Sequence, residues 1–174
     1  MILVGIIFSH TICLKNRRDN MSAIKKIDSG KILCLEEKGS YFHLNEKFEK
    51  LLEFIKQRRV YFKGEKIGIF YEQPNDFDPN NTHYAAAIEL VGETTGDGEI
   101  TVVIQPSMQV AYENYRGNYT GLRETYTKLL NWIKENNYKV CGPARECYLL
   151  GTKFGNSQED SEYVVELQFP VEKA

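Results

Sequence analysis

Residues 39–64 read GSYFHLNEKFEKLLEFIKQRRVYFKG, and residues 117–142 read GNYTGLRETYTKLLNWIKENNYKVCG. From Gly39 to Gly117 is a step of 78 residues. The same step carries Leu44, Phe48, Leu51, Leu52 and Ile55 onto Leu122, Tyr126, Leu129, Leu130 and Ile133. These positions recur at i, i+4, i+7, i+8 and i+11, which is one stripe of an amphipathic helix. Gly64 falls on Gly142 in the same register, so the flanks repeat along with the helix. Helical periodicity alone does not produce that, and the chain reads as two copies of one unit.

Each unit reads strand, helix, strand, strand. In the first, residues 31–37 form a strand, 41–59 a helix, and 66–72 and 83–91 two strands. In the second, residues 99–115 form a strand bent near Pro106, 120–137 a helix, and 144–150 and 162–169 two strands. The stretch 73–81 carries Pro74, Asn75, Asp76, Asp78, Pro79 and Asn80 and reads as a loop, with 153–161 as its counterpart and 94–98 as the link between units. Each unit exposes an apolar sheet face and an apolar helix stripe. The fold class expected is therefore α+β: two fused repeats, about 21–95 and 96–174, in one antiparallel sheet with both helices on one face. Such packing leaves a central groove between the helices, a favoured place for a ligand.

Composition limits the function. The chain has 174 residues, 42% of them hydrophobic and 26% charged, as in an ordinary globular domain. Its 22 Lys and Arg against 24 Asp and Glu leave a net charge of -2, which argues against direct nucleic-acid binding. Eleven Tyr, nine Phe and one Trp are enough aromatics to line a pocket for flat ligands. Cys13, Cys34, Cys141 and Cys147 form no CxxC pair, so reduced thiols in a cytoplasmic compartment are expected, with neither metal nor disulfide between Cys141 and Cys147. His10, His43 and His83 lack metal-ligand spacing, and there is no HExxH, GxSxG, P-loop or GxGxxG, so no cofactor is expected. Arg17-Arg18 and Arg58-Arg59 read as solvated pairs. The run Ile2 to Phe8 is shorter than the roughly 20 apolar residues a span needs, and its basic residues Lys15, Arg17 and Arg18 follow it. Residues 1–20 thus read as an N-terminal extension, with a marginal membrane anchor as the alternative.

Five stretches together resemble one known family. They are KIGIFYEQP at 66–74, YRGNY at 115–119, LNWIKENNY at 130–138, GPARECY at 142–148 and ELQFPV at 166–171. The chain from about Met21 onward is similar to the GyrI-like small-molecule-binding domain, which is also the effector-binding half of AraC-type and MerR-type regulators. Residues 1–20 are too few for a helix-turn-helix module, so a stand-alone member is expected. The resemblance implies binding of an apolar or cationic aromatic small molecule, for sensing, sequestration or detoxification. It leaves open a hydrolase of reactive cyclopropane-containing genotoxins and a protein-binding inhibitor of the gyrase-inhibitor type.

Glu146 is the first candidate for the site, with Tyr148 two residues on and on the same strand face. The resemblance places this glutamate in the pocket, facing polar or cationic parts of ligands; in a hydrolase it would be the catalytic acid or base. The repeat argues independently: one step back, Glu146 becomes Gly68 and Tyr148 becomes Phe70, so the fold does not require the glutamate. Tyr71, Tyr112, Tyr119 and Trp132 complete the candidate aromatic set around the carboxylate. Glu89 and Glu166 lie at nearly matching places in the two units; as a pair they could act as acid and base, but repetition favours a structural role. Removing residues 1–20 is expected to leave a folded domain; loss of the cooperative thermal transition would show that the segment belongs to the core.

Overall fold

The computed structural model describes residues 21–72, 78, 80–117, 119–148 and 163–174. The expectations for residues 1–20 and for the loops at 73–77 and 149–162 lie outside the described residues. The elements are β1 (Ala23–Ile27), β2 (Gly30–Gly39), a 3-10 turn at Tyr41–His43, α1 (Leu44–Arg58), β3 (Phe62–Phe70), β4 (Thr82–Leu90), β5 (Ile100–Gln105), β6 (Met108–Gly117), α2 (Tyr119–Glu135), β7 (Tyr138–Val140), β8 (Ala144–Tyr148) and β9 (Tyr163–Lys173). The strands join in the order β1-β6-β9-β8-β3-β4-β2-β5, with β7 added on β9, and every pairing is antiparallel. The α+β class with one antiparallel sheet is as the sequence predicts.

The strand registers carry the 78-residue step. Cys34 pairs with Thr101, and Tyr112, one step on from Cys34, pairs with Ala23, one step back from Thr101. Lys66 pairs with Tyr148, and the equivalent pair is Ala144 with Phe70. The last strand of each unit departs from it: Ile32 pairs with Glu89, whereas Val110 pairs with Pro170, a step of 81 residues from Glu89. The β8–β9 connection is longer than the β3–β4 connection by those three residues. This corrects the matching of Glu89 with Glu166. Glu89 corresponds to Pro170, and Glu166 to Ala85.

Both helices end alike, with Arg59 (φ 55°) and Asn137 (φ 58°) one repeat step apart in the left-handed region. Asn tolerates that conformation better than Arg does. The apolar stripes Leu44, Phe48, Leu51, Ile55 and Leu122, Leu129, Ile133 are buried on one face of the sheet. α1 lies over β2, β3 and β4, and α2 over β6, β7 and β9, so β8 runs between them.

The stretch 99–115 is not one bent strand. Pro106 and Ser107 separate β5 from β6, and these two lie six places apart in the sheet. Pro106 lacks the N–H that a continuous ladder would use. Asp28 and Ser29 make the equivalent link from β1 to β2, also six places apart. Six strand spacings in a flat sheet are about 29 Å, whereas three Cα steps reach about 11 Å. The sheet must curl, and the curl buries the face the helices leave open. Ile32, Cys34, Ile67, Ile69, Ala85, Ala87 and Cys147 form a second core there. On this face Arg145 of β8, 5% exposed, donates from Nη1 to Gln105 Oε1 at 2.6 Å and lies 3.7 Å from Met108 Sδ. The centre of the sheet is thereby tied to the β5–β6 link.

Among the described residues no carboxylate pairs with Arg145, and its Nε has no hydrogen-bond partner. Gln105→Ala is expected to destabilise the fold by about 2–4 kcal/mol, because a buried guanidinium loses its acceptor. Arg145→Met combined with Gln105→Leu should cost less than Gln105→Ala alone; chemical denaturation of the three variants measures the difference.

Candidate functional site

Glu146 points to the helix side of β8, with Ala144 and Tyr148 on the same side. Its cross-strand neighbours are Gly68 on β3 and Leu167 on β9. A Cβ at Gly68 would stand 3.0 Å from Phe70 Cε2 and 3.3 Å from Leu44 Cδ2, so the missing side chain leaves room for those two over β3. The carboxylate is 6% exposed. Tyr126 Oη of α2 donates to Oε1 at 2.7 Å, and Tyr148 Oη donates to Oε2 in a very short bond. Among the described residues no basic group pairs with it. Burial pushes the Glu146 carboxyl above its ordinary value, opposed by the hydrogen bonds from Tyr148 and Tyr126. Burial pushes the Tyr148 phenol well above its own ordinary value, and the Glu146 charge adds to this.

Aromatic rings surround this group. Phe48 of α1 meets Tyr148 edge-on at 5.9 Å between centroids, and Phe169 meets Tyr126 edge-on at 5.8 Å. Tyr41 lies against Phe70 at 6.0 Å. Of the aromatics the sequence singles out whose side chains are described, only Tyr148 is brought to Glu146. Tyr71 lies on the opposite face of the sheet, stacked on His83 at 4.3 Å. Tyr112 is on that face too, beneath Lys25 Nζ at 4.8 Å from its centroid. Trp132 sits on the flank of α2 toward Met21 and Ser22. Tyr119 begins α2, and its side chain lies outside the described residues.

Tyr126 is the residue the sequence reading passed over, as one more member of a helix stripe. Its signal was in the repeat: Phe48, Gly68 and Phe70 return as Tyr126, Glu146 and Tyr148. Three apolar positions of the first unit have gained two phenols and a carboxylate in the second, and the three new polar groups bond to one another.

Glu89 and Glu166 form no catalytic pair. Both face away from the helices; Glu89 is bound by Lys63 Nζ at 2.5 Å, and Glu166 by Lys25 Nζ at 2.5 Å and by Gln168. Cys34, Cys141 and Cys147 are free thiols, and burial pushes Cys34 and Cys147 up to about 12, which makes both poor nucleophiles. Among the described residues, no group of three or more His, Cys, Asp or Glu is arranged to hold a metal ion. No described helix is long and apolar enough to cross a membrane.

The family described as the GyrI-like small molecule binding domain matches residues 21–172. This chain belongs to that family. Its domain resembles the C-terminal domain of EcmrR, with a TM-score of 0.70 and 21% identity over 90% of this chain and 100% of that one. In the complex of EcmrR with DNA, the chain spans 58% of the EcmrR chain, again with a TM-score of 0.70 and at 20% identity over 88% of its own length. A hydrolase from Listeria innocua encoded by lin2189 is similar in fold at 10% identity, with a TM-score of 0.64 over 88% of this chain and 92% of that one. No curated protein matches the GyrI-like chain in sequence.

The raised carboxyl has a consequence for stability. The folded state favours the neutral form of Glu146, so its contribution is fully present below the ordinary Glu range and lost as pH rises through the raised value. Above that raised value the buried charge is a net cost. Glu146→Gln is expected to raise Tm by a few degrees at neutral pH, with the gain shrinking on acidification. A lower Tm for the variant at neutral pH would contradict this reading.

Proposed function

We propose that this GyrI-like domain binds a cationic aromatic small molecule against Glu146, in the strip of sheet between α1 and α2, as a cytoplasmic sensing, sequestering or detoxifying protein. The observation that carries the reading is the carboxylate itself: buried, held by two phenols and matched by no cation among the described residues. Such a charge is costly unless something else neutralises it, and a ligand cation is the partner that would relieve the cost. The surrounding rings, Phe48, Tyr126 and Tyr148, suit the apolar part of the same molecule. Phe48 and Tyr126 reach this strip from the two helices, so a ligand that meets Glu146 enters by moving helix side chains.

A hydrolase is the second reading, favoured by one observation: a carboxyl held toward its neutral form is suited to proton donation. Turnover of a strained, alkylating small molecule that stops in Glu146→Gln would establish it, whereas binding without turnover supports the first.

Hydrogen bonds to charged groups contribute about 1.5–3 kcal/mol, so Glu146→Gln is expected to weaken a cationic dye about tenfold or more and to spare a neutral isostere. Equal loss for both ligands, or loss for neither, would count against the assigned role. Affinity for the cation should also fall on acidification, beginning at a higher pH than an exposed glutamate would give. Titrations across pH with the native protein measure this.

A further inference from the structure

The repeat makes a second pair of equivalent sites, on the outer flanks of the helices. In the first unit a cleft of about 350 Å³ lies between α1 and the lead-in to β5, lined by Phe54, Asp97 and Ile100 among others. In the second unit the equivalent cleft lies between α2 and the lead-in to β1 and measures about 700 Å³. Trp132 takes the place of Phe54, and Met21 and Ser22 take the places of Glu99 and Ile100.

The two clefts differ in what covers the ring. Arg58 places its guanidinium 5.3 Å from the centroid of Phe54 and is held there by Asp97 at 2.9 Å. The first cleft thus supplies its own cation over its own aromatic. One repeat step on from Arg58 is Asn136, which is neutral and bonds the Trp132 carbonyl at 2.8 Å. Among the described residues no cation lies over the Trp132 ring, and the space that Arg58 uses in the first unit is part of a larger cleft in the second.

The charges around that space favour a cation. Among the described residues Glu124 and Glu135 line it, against one cation, Lys128. Lys128 is itself engaged: its Nζ donates to Glu113 Oε1 at 2.7 Å, while Ser22 Oγ donates to Oε2 at 2.6 Å. Glu113 is 1% exposed and stands where the first unit has Leu35, so another carboxylate has been added beneath this cleft alone. Indole is the best of the aromatic faces for a cation, and the volume suits a small molecule.

We propose that the cleft between α2 and Met21–Ser22 is a second ligand site, separate from Glu146, which takes a flat organic cation over Trp132 in the place that Arg58 occupies over Phe54. Trp132 is the single tryptophan of the chain, so its emission reports this cleft. The probe is 1-methylquinolinium, with 1-methylnaphthalene as the neutral molecule of the same shape. Expected is saturable quenching of the indole by the cation, retained in Glu146→Gln. It should weaken about threefold or more in Glu124→Gln combined with Glu135→Gln. Asn136→Arg, which restores the first unit's own cation, should weaken it by a similar factor. The proposal is overturned by quenching that rises linearly without saturation, by a signal lost in Glu146→Gln, by a signal that neither the Glu124/Glu135 change nor Asn136→Arg alters, or by equally tight binding of the naphthalene. Retention in Glu146→Gln also separates this site from the one between the helices.

Discussion

Two connections of two residues each, Asp28-Ser29 and Pro106-Ser107, govern the shape of this molecule. Each joins strands six places apart in the sheet, and neither can reach unless the sheet curls. The curl explains why a sheet with helices on only one face is buried on both. It explains the second core of small and β-branched residues. It also explains the presence of Arg145 in that core, since the β5–β6 link crosses there with Gln105 and Met108. With the back of the sheet closed in this way, Glu146 and Arg145 can be neighbours in sequence while facing different surroundings.

Against this frame the second unit has acquired polar groups at positions the first keeps apolar. Glu146 stands for Gly68, Tyr126 for Phe48, Tyr148 for Phe70, Glu113 for Leu35 and Arg145 for Ile67. The frame tolerates these exchanges because the first unit shows that it folds with the apolar versions. Each buries a polar or charged group that packing alone does not call for. Function accounts for such costs more readily than stability does, and the groups at Glu146 satisfy one another without neutralising the charge.

The helices, the strand cores and the repeat were legible because 3.6-residue periodicity and a constant step are properties of the sequence itself. Glu146 stood out as a candidate because the first unit has Gly68 in its place. What escaped depended on the third dimension. β1 and β7 are too short to display a pattern, and the break at Pro106 looks like a bend until the sheet order is known. Tyr71 and Tyr112 were grouped with Glu146 because alternation says which residues share a face along one strand, but the alignment of faces between strands depends on register, which one strand's sequence does not carry. Tyr126 was hidden for the opposite reason: its hydroxyl rides on a ring that the helix stripe already explains.

The pairing of β1 with β6 and of β5 with β2 means that the two units exchange their first strands. Neither can complete its own edge. Residues as far apart as Ser22 and Glu113 must meet before either unit is closed. Folding therefore waits on contacts of long sequence separation, and loop closure sets its pace more than helix formation does. Cleavage in the link between the units would leave two fragments that each lack an edge strand and need the other to supply it. The duplicated chain behaves in this respect as a tethered dimer, whose interface is the sheet itself.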